Sequence, residues 1–266
     1  MKSIKLLPYL FSLLLLSACS DDDDQPTPTT NACTVSKITV TGGEDAGVTT
    51  LTYDAQGKIT AANMTGGELE GNVTVQYNGE LPATATIKSS GFTLGTVEYT
   101  YDTQKRLVKL TTDLSAIGLL TEQNFEYNSQ NQVIREAVYS YFVFDESEEP
   151  IGGFSEYNTF TYDVKGNIAR KSIFEGSTEA TATLSYTLDF TYDSALNPGQ
   201  KIDVLLKGYS TPNNVLTAVH TENGTVDKDN SYSVVYKYNT AGLPTEATET
   251  TQNNAVSTTA VEYNCN

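Results

Sequence analysis

The chain has 266 residues, with 33 acidic and 16 basic side chains, and its formal net charge at pH 7 is −17. A surface this acidic repels nucleic acid and anionic lipid, which argues against nucleic-acid binding. Tryptophan is absent and tyrosine occurs 17 times. This composition favours strands over helices, and the length is sufficient for one large all-β domain.

Residues 1–18 have the pattern of a signal peptide, because two lysines precede a largely apolar stretch at residues 6–16. As a helix this stretch would rise only about 16 Å, too little for a hydrocarbon core of about 30 Å. The following Leu16-Ser17-Ala18-Cys19 resembles the lipobox of bacterial lipoproteins, which implies cleavage before Cys19 and acylation of its sulfur. The alternative is an ordinary signal peptide followed by a chance cysteine.

An acidic run follows the cysteine and consists of Ser20, Asp21, Asp22, Asp23 and Asp24. It resembles the surface-export signal of Bacteroidetes lipoproteins, and it also fits a solvated, self-repelling tether. Residues 25–31 contain two prolines among threonines, as in an extended linker. We therefore predict that residues 19–32 tether a single domain, residues 33–266, to the outer membrane, facing the cell exterior. Acyl chains would provide the anchor without a transmembrane element.

A repeated motif organises the rest of the chain, in which an aromatic-rich segment ends in Tyr followed by Asp or Asn. The copies are Tyr53-Asp54, Tyr77-Asn78, Tyr101-Asp102, Tyr127-Asn128, Tyr162-Asp163, Tyr192-Asp193, Tyr238-Asn239 and Tyr263-Asn264. In several copies Gly57, Gly166, Gly242 or Asn131 lies just before the next apolar segment. Gly and Asn tolerate the positive φ of a tight turn, and an Asp or Asn side chain can close it. Each copy therefore predicts a β-hairpin, which gives about sixteen strands.

Within the predicted strands, apolar and polar residues alternate. Along one segment, Leu184, Tyr186, Leu188, Phe190 and Tyr192 share one face, and Thr183, Ser185, Thr187, Asp189 and Thr191 share the other. This period of two predicts an antiparallel sheet that is apolar on one face and threonine-rich on the other. We predict an all-β antiparallel meander that forms a closed or flattened barrel, or a curved β-shell.

The segments Tyr53-Asp54-Ala55-Gln56-Gly57-Lys58-Ile59 and Tyr162-Asp163-Val164-Lys165-Gly166-Asn167-Ile168 resemble the YD repeat of RHS proteins. Together with the N-terminal features, they make the chain similar to a family of Bacteroidetes lipoproteins with a porin-like β fold. The resemblance covers nearly all of residues 33–266. Lys105 departs from it by replacing the glycine of the third copy, and Tyr77 precedes a shortened turn. The resemblance implies a fold and no particular activity.

Two further cysteines lie at the ends of the predicted domain. Cys33 precedes an unpaired strand at residues 34–41, and Cys265 follows the motif Tyr263. We predict a Cys33–Cys265 disulfide that joins the first and last strands, which would remove both open sheet edges. Two unpaired thiols in frayed ends are the alternative.

Two orientations of the sheet are possible. A membrane pore would turn the aromatic face to lipid, whereas a soluble shell would turn it inward. Several predicted strands have six or seven residues, fewer than the 9–11 or so of a spanning strand. We therefore expect the aromatic face inside. A round barrel of sixteen strands is too wide to be filled by its own side chains, so it would have to flatten, hold a ligand or open.

Residues that could support catalysis or metal binding are few. We interpret His220, the single histidine, as a surface residue in a long insertion. Asp145, Glu146, Glu148 and Glu149 form one acidic loop, and Asp227, Asp229 and Asn230 form another. The second loop only faintly resembles a calcium loop, because the glycine and the closing glutamate of that pattern are missing. We predict no catalytic residue, metal or cofactor.

The sequence therefore indicates a lipid-anchored cell-envelope protein that acts as a non-enzymatic binding or structural module. Its predicted partner is outer-membrane lipid, through the acyl anchor, and a glycan or protein partner is left open. The alternatives are an outer-membrane β-barrel pore and a glycan-active hydrolase that uses loop carboxylates.

Overall fold

A computed structural model describes residues 33–43, 46–67, 70–142 and 150–265. Within these ranges there are sixteen strands and one α-helix. The strands are β1 (Thr34–Thr41), β2 (Gly47–Tyr53), β3 (Ile59–Thr65), β4 (Gly71–Asn78), β5 (Leu81–Ser89), β6 (Phe92–Tyr101), β7 (Leu107–Leu114), β8 (Leu119–Tyr127), β9 (Val133–Phe142), β10 (Ile151–Tyr162), β11 (Ile168–Glu175), β12 (Thr183–Leu196), β13 (Asn213–Glu222), β14 (Thr225–Tyr238), β15 (Pro244–Thr251) and β16 (Val256–Asn264). The helix α1 (Gln200–Lys207) lies between β12 and β13.

The strands form one closed antiparallel barrel in which each pairs with its neighbour in sequence and β1 pairs with β16. The predicted meander and strand number are confirmed. All motif tyrosines lie at one end of the barrel, called here the tyrosine end. The opposite end, where β1 connects to β2 and β9 to β10, is called the mouth.

A β-bulge recurs at the motif. The pairing register shifts immediately before the motif tyrosine in seven strands: at Tyr53, Tyr77, Tyr101, Tyr127, Tyr162, Tyr192 and Tyr238. A bulge increases the local twist of a strand. Because these bulges recur at the same level of the barrel, they help the sheet to curve and close.

The aromatic face lies inside the barrel, as predicted. Ile38, Leu110 and Ile173 are among its fully buried side chains, and all lie on the same face as the motif tyrosines. Helix α1 enters the lumen at the tyrosine end, where Ile202 and Leu205 join a core formed by β1–β3 and β14–β16. A second core lies among β5–β11 and packs against Tyr209. The helix therefore fills space that the strands alone leave open.

One inner-face prediction is wrong. Leu184 is 53% exposed, because the register of β11 and β12 shifts between Ile173 and Phe174 and turns Leu184 to the outside. The alternation of Tyr186 and Leu188 with Thr187 continues beyond that bulge. A bulge inserts one residue, and one residue reverses the face on which a side chain lies.

The predicted disulfide is confirmed, because Cys33 and Cys265 are bonded with a Cα–Cα distance of 4.0 Å. It joins β1 and β16 at the tyrosine end, where Thr34 pairs with Asn264. Cys33, the first described residue, therefore lies at the tyrosine end. The predicted signal peptide, lipidation residue Cys19 and export signal Ser20–Asp24 lie outside the described residues, as does the acidic segment Asp145–Glu149.

No α-helix in the described ranges is long and apolar enough to span a membrane.

Candidate binding site in the barrel lumen

Five turns at the tyrosine end share one geometry. In the first, the Asp54 side chain accepts hydrogen bonds from the backbone N–H groups of Gln56 and Lys58, and Gly57 has a φ of 71°. The same pattern recurs with Asp102, Asn128, Asp163 and Asn239. The residues with positive φ in those copies are Lys105, Asn131, Gly166 and Gly242, so lysine adopts the glycine conformation in the departing copy.

The motif tyrosines close the inner wall at this end. Tyr53 donates its hydroxyl hydrogen to the Val35 carbonyl at 2.8 Å, and Tyr162 donates to the Val133 carbonyl at 2.7 Å. Equivalent bonds join Tyr77 to Ile59, Tyr127 to Leu107, Tyr192 to Ile168 and Tyr263 to Pro244. Burial raises the pKa of Tyr53 to about 12. These tyrosines are hydrogen-bond donors that link successive repeats.

Two predicted turn residues depart from this scheme. Asp193 precedes the α1 insertion rather than a tight turn, and it accepts hydrogen bonds from the Asn214 side chain and the Tyr238 hydroxyl. Tyr238 is 40% exposed, and in its strand Tyr236 donates to the Val215 carbonyl instead. The connection after the sixth motif copy, between β12 and β13, therefore carries the inserted helix.

Specific contacts fix the inserted helix. Tyr99 donates its hydroxyl hydrogen to the Leu205 carbonyl at 2.8 Å, and the Lys201 ammonium donates to the Gly57 carbonyl at 2.7 Å. Gly208 ends the helix with a φ of 78°, and a Cβ at that position would lie 2.6 Å from the Phe125 ring. Close packing at this position therefore requires glycine.

Asp203 anchors the first turn of the helix to the following segment. It is 4% exposed, forms an ion pair with Lys207 at 2.8 Å, and accepts hydrogen bonds from Ser210 and Asn197. Burial disfavours the charged carboxylate and raises the pKa of Asp203, whereas the positive charge of Lys207 acts in the opposite direction. The carboxylate is therefore a structural contact of the plug.

Above the helix, on the wall formed by β9–β11, four inward-facing side chains form a polar group that we call the lumen cluster: Glu136, Asn158, Glu156 and Glu175. Asn158 pairs with both Glu136 and Ile173, and Glu156 lies directly opposite Glu175. Since all four share the face of the fully buried Ile173, they point into the barrel. Glu136 and Asn158 are 3% and 1% exposed, whereas Glu175 is exposed.

The base of the cluster is hydrogen-bonded. Gln123 donates to Glu136 at 2.7 Å, and the Asn158 amide donates to both Glu136 and Glu156 at 3.0 Å. Tyr209 donates to Glu136 at 3.4 Å, and the Lys171 ammonium lies 3.8 Å from the same carboxylate. Burial, followed by the charge of Glu136, raises the pKa of Tyr209 well above its ordinary value. The base therefore combines amide, phenol and ammonium donors around one carboxylate.

The upper part of the cluster carries unbalanced negative charge. Within the described ranges, Glu156 and Glu175 form no ion pair, although their side chains are cross-strand neighbours. Directly opposed carboxylates repel each other, with Cβ atoms about 5 Å apart. The arrangement can therefore accept hydrogen bonds from a group that enters through the mouth.

The prediction that His220 is a surface residue is wrong, because it lies in β13 and is 9% exposed, with its ring 4.3 Å from that of Tyr186. Asp227 approaches the imidazole at 3.8 Å. Ser231 does not complete a catalytic triad, since its hydroxyl interacts with the backbone of His220 and Asp227 rather than with the ring.

The predicted acidic loop at Asp227–Asn230 instead belongs to β14. The Asn230 side-chain amide donates to the Asp227 carboxylate and makes the largest contribution to lowering the pKa of Asp227. The backbone N–H groups of Asp229 and Asn230 also donate to this carboxylate and lower its pKa further. The polar side chains of this segment therefore stabilise the local backbone of β14.

The lumen cluster was missed in the sequence, although a signal was present. The alternation that places Tyr162 and Phe160 inside continues backward to Asn158 and Glu156. Polar residues on an otherwise apolar inner face are the pattern to look for. Alternation alone does not show that Glu175 lies opposite Glu156, because that depends on the pairing register of β10 and β11.

Charged residues on the outer face are paired across neighbouring strands. Lys37 pairs with Glu262 at 2.5 Å, Arg170 with Asp189 at 2.6 Å, and Lys237 with Glu246 at 2.6 Å. Lys109 pairs with Glu122 in the same way. These pairs lie on the face opposite to the inner tyrosines and are distributed around the barrel.

Comparison with solved structures gives the same fold. A crystal structure of a porin-like protein from Bacteroides uniformis matches with a TM-score of 0.54 and 13% identity, covering 86% of this chain and 98% of that one. One from Bacteroides vulgatus matches with a TM-score of 0.57 and 14% identity, covering 87% and 99%. At this identity the likeness shows the fold alone, and the expected porin-like fold is confirmed. No protein-family model and no curated protein match the sequence.

Proposed function

We propose that this protein is a lipid-anchored envelope module that binds a ligand in its barrel lumen and that performs no catalysis. The observation that carries the proposal is the asymmetry of the lumen. Helix α1 occupies the tyrosine end, while the acceptor groups of the lumen cluster lead from the buried Glu136 to the exposed Glu175 at the mouth. A concave surface with convergent polar groups is typical of a ligand site.

The outer surface supports an aqueous location for the barrel. A transmembrane barrel presents an apolar band about 25 Å tall to lipid, and charged residues within that band are costly. Here Arg170, Asp189 and Lys109 lie within strands on the outer face. Helix α1, whose Ile202 and Leu205 are buried in the lumen, also occupies space that a pore would need. Both features favour a tethered module over the outer-membrane pore.

The direction of the tether supports a mouth that faces away from the membrane. The chain enters the barrel at Cys33, at the tyrosine end. If Cys19 is acylated, the tether of residues 19–32 spans at most about 50 Å. The plugged end would then lie toward the lipid, and the mouth would be open to the surroundings.

Residues 25–266 include the whole barrel and provide the test. They should be exported with a cleavable signal peptide, without Cys19, and purified in the absence of detergent. The proposal expects a monodisperse β-rich protein that stays in the aqueous phase. Aggregation that only detergent reverses would contradict it and favour the pore. Hydrolysis of a glycan panel, lost in Glu156→Gln, would instead favour the hydrolase.

A further inference from the structure

The strongest unexplained feature of the lumen is an excess of hydrogen-bond acceptors. Glu156 and Glu175 are directly opposed on the inner face of β10 and β11 without a basic partner among the described residues. Asn158 lies two residues deeper, donates its amide hydrogens to Glu136 and Glu156, and is 1% exposed. Its Oδ1 accepts no hydrogen bond in the described structure. Like charges that face each other are destabilising unless a cation lies between them.

We propose that the lumen cluster binds a linear organic cation that carries ammonium groups, such as an aliphatic diamine or polyamine. The inference rests on the proposed function, since it names the ligand class of the same lumen. Ammonium groups are donors only, with three N–H bonds each, and therefore complement carboxylate and amide oxygens. Charge-assisted hydrogen bonds of this kind are about twice as strong as neutral ones.

The number of acceptors favours an ammonium group over a metal ion. The Asn158 amide already donates to the Glu156 carboxylate at 3.0 Å, so the directly opposed carboxylates of Glu156 and Glu175 remain as the acceptors for a ligand. Metal ligands must converge to within about 2.6 Å of one ion. No group of three His, Cys, Asp or Glu side chains in the described ranges is placed to hold a metal. The two opposed carboxylates can instead accept the N–H bonds of an ammonium group at the end of a linear cation.

The base of the lumen already shows how it holds an ammonium group. The Lys171 ammonium lies 3.8 Å from the Glu136 carboxylate and 5.8 Å from the centre of the Phe160 ring. A carboxylate combined with an aromatic face stabilises a cation in both ways. Lys171 neutralises the deepest carboxylate of the cluster, and the two upper glutamates remain for an incoming cation.

Isothermal titration calorimetry on the full chain tests the proposal with putrescine and spermidine as probes. 1,4-Butanediol has the length of putrescine without its charge and is the matched neutral probe. We expect the amines to bind and the diol not to bind. Glu156→Gln and Glu175→Gln keep the shape of each side chain, and each should weaken amine binding at least tenfold. Glu122→Gln removes an outer-face carboxylate and should leave the affinity unchanged.

Three outcomes would overturn the proposal: no binding of either amine, equal binding of the diol, or equal weakening by the Glu122→Gln control. The last would show that the acidic surface attracts amines without a site. Failure of the proposed function is separate, because it would appear as a detergent requirement of residues 25–266. A detergent-free protein that ignores both amines would reject only the ligand class.

Discussion

The tyrosine end and the mouth are formed by the same strands, yet they fill the lumen differently. At the tyrosine end, α1 fills the lumen, the motif tyrosines donate hydrogen bonds to neighbouring strands, and a disulfide joins β1 to β16. At the mouth, the like-charged Glu156 and Glu175 lie directly opposite each other on the neighbouring strands β10 and β11. The difference indicates that stability is concentrated at one end, which leaves the other free to carry unfavourable charge for binding.

The largest expected effect comes from the disulfide. Replacing Cys33 and Cys265 by serine removes a link between residues separated by 232 positions. Because the unfolded chain then regains loop entropy, the free energy of unfolding should fall by roughly 2–5 kcal/mol. Urea denaturation of the wild type and the double variant measures the change. A loss below about 0.5 kcal/mol would mean that β1–β16 pairing alone closes the barrel.

A second comparison uses leucines at the two ends. Leu205 is 9% exposed in α1, whereas Leu184 is 53% exposed near the mouth. Leu205→Ala should cost about 2–4 kcal/mol, because it opens a cavity in the plug. Leu184→Ala should cost about 0.5 kcal/mol or less, because its surroundings are solvent. Urea denaturation of both variants checks the pair, and equal losses would remove the proposed difference in packing between the ends.

Single hydroxyl groups sharpen the comparison further. Tyr162→Phe removes the half-buried hydrogen bond to the Val133 carbonyl and should cost about 1 kcal/mol. Tyr139→Phe makes the same chemical change on the outer surface, where the hydroxyl contacts Glu179, and should cost about half as much or less. Thermal unfolding of the two variants under identical conditions measures the difference. A larger loss in Tyr139→Phe would contradict the role assigned to the motif tyrosines.

Sequence reasoning recovered the features that repeat. The period of two, the Tyr-Asp turns and the terminal cysteines each follow from local chemistry, and together they define a closed sixteen-stranded meander. The face of Leu184 could not be predicted, because a single bulge reverses it. The burial of His220 does not follow from the sequence for a related reason, because it depends on the pairing of β13 with β12 and β14.

The candidate site was the least predictable part. Glu156 can be placed on the inner face by alternation from Phe160, but its opposition to Glu175 depends on the β10–β11 register. Register is set by bulges and turn lengths, which one sequence shows only in part. The helix plug was also unforeseen, because eight residues are too few to form a stable helix alone, and these are helical here through the contacts of Ile202 and Leu205.

The smallest expected effect concerns the pH dependence of the plug. Burial raises the pKa of Asp203 in the folded protein above that in the unfolded chain. The fold therefore binds a proton more readily, and the contribution of this carboxyl to stability increases as the pH falls from the folded pKa toward the unfolded value.

In Asp203→Asn this contribution is absent, while all other titrating groups remain. The free energy of unfolding of the wild type, relative to that of Asp203→Asn, should therefore increase as the pH is lowered from 7 to 4. Urea denaturation at a series of pH values in this range measures the change. A constant difference would show that Lys207 cancels the effect of burial, and an opposite trend would mean that the ion pair dominates.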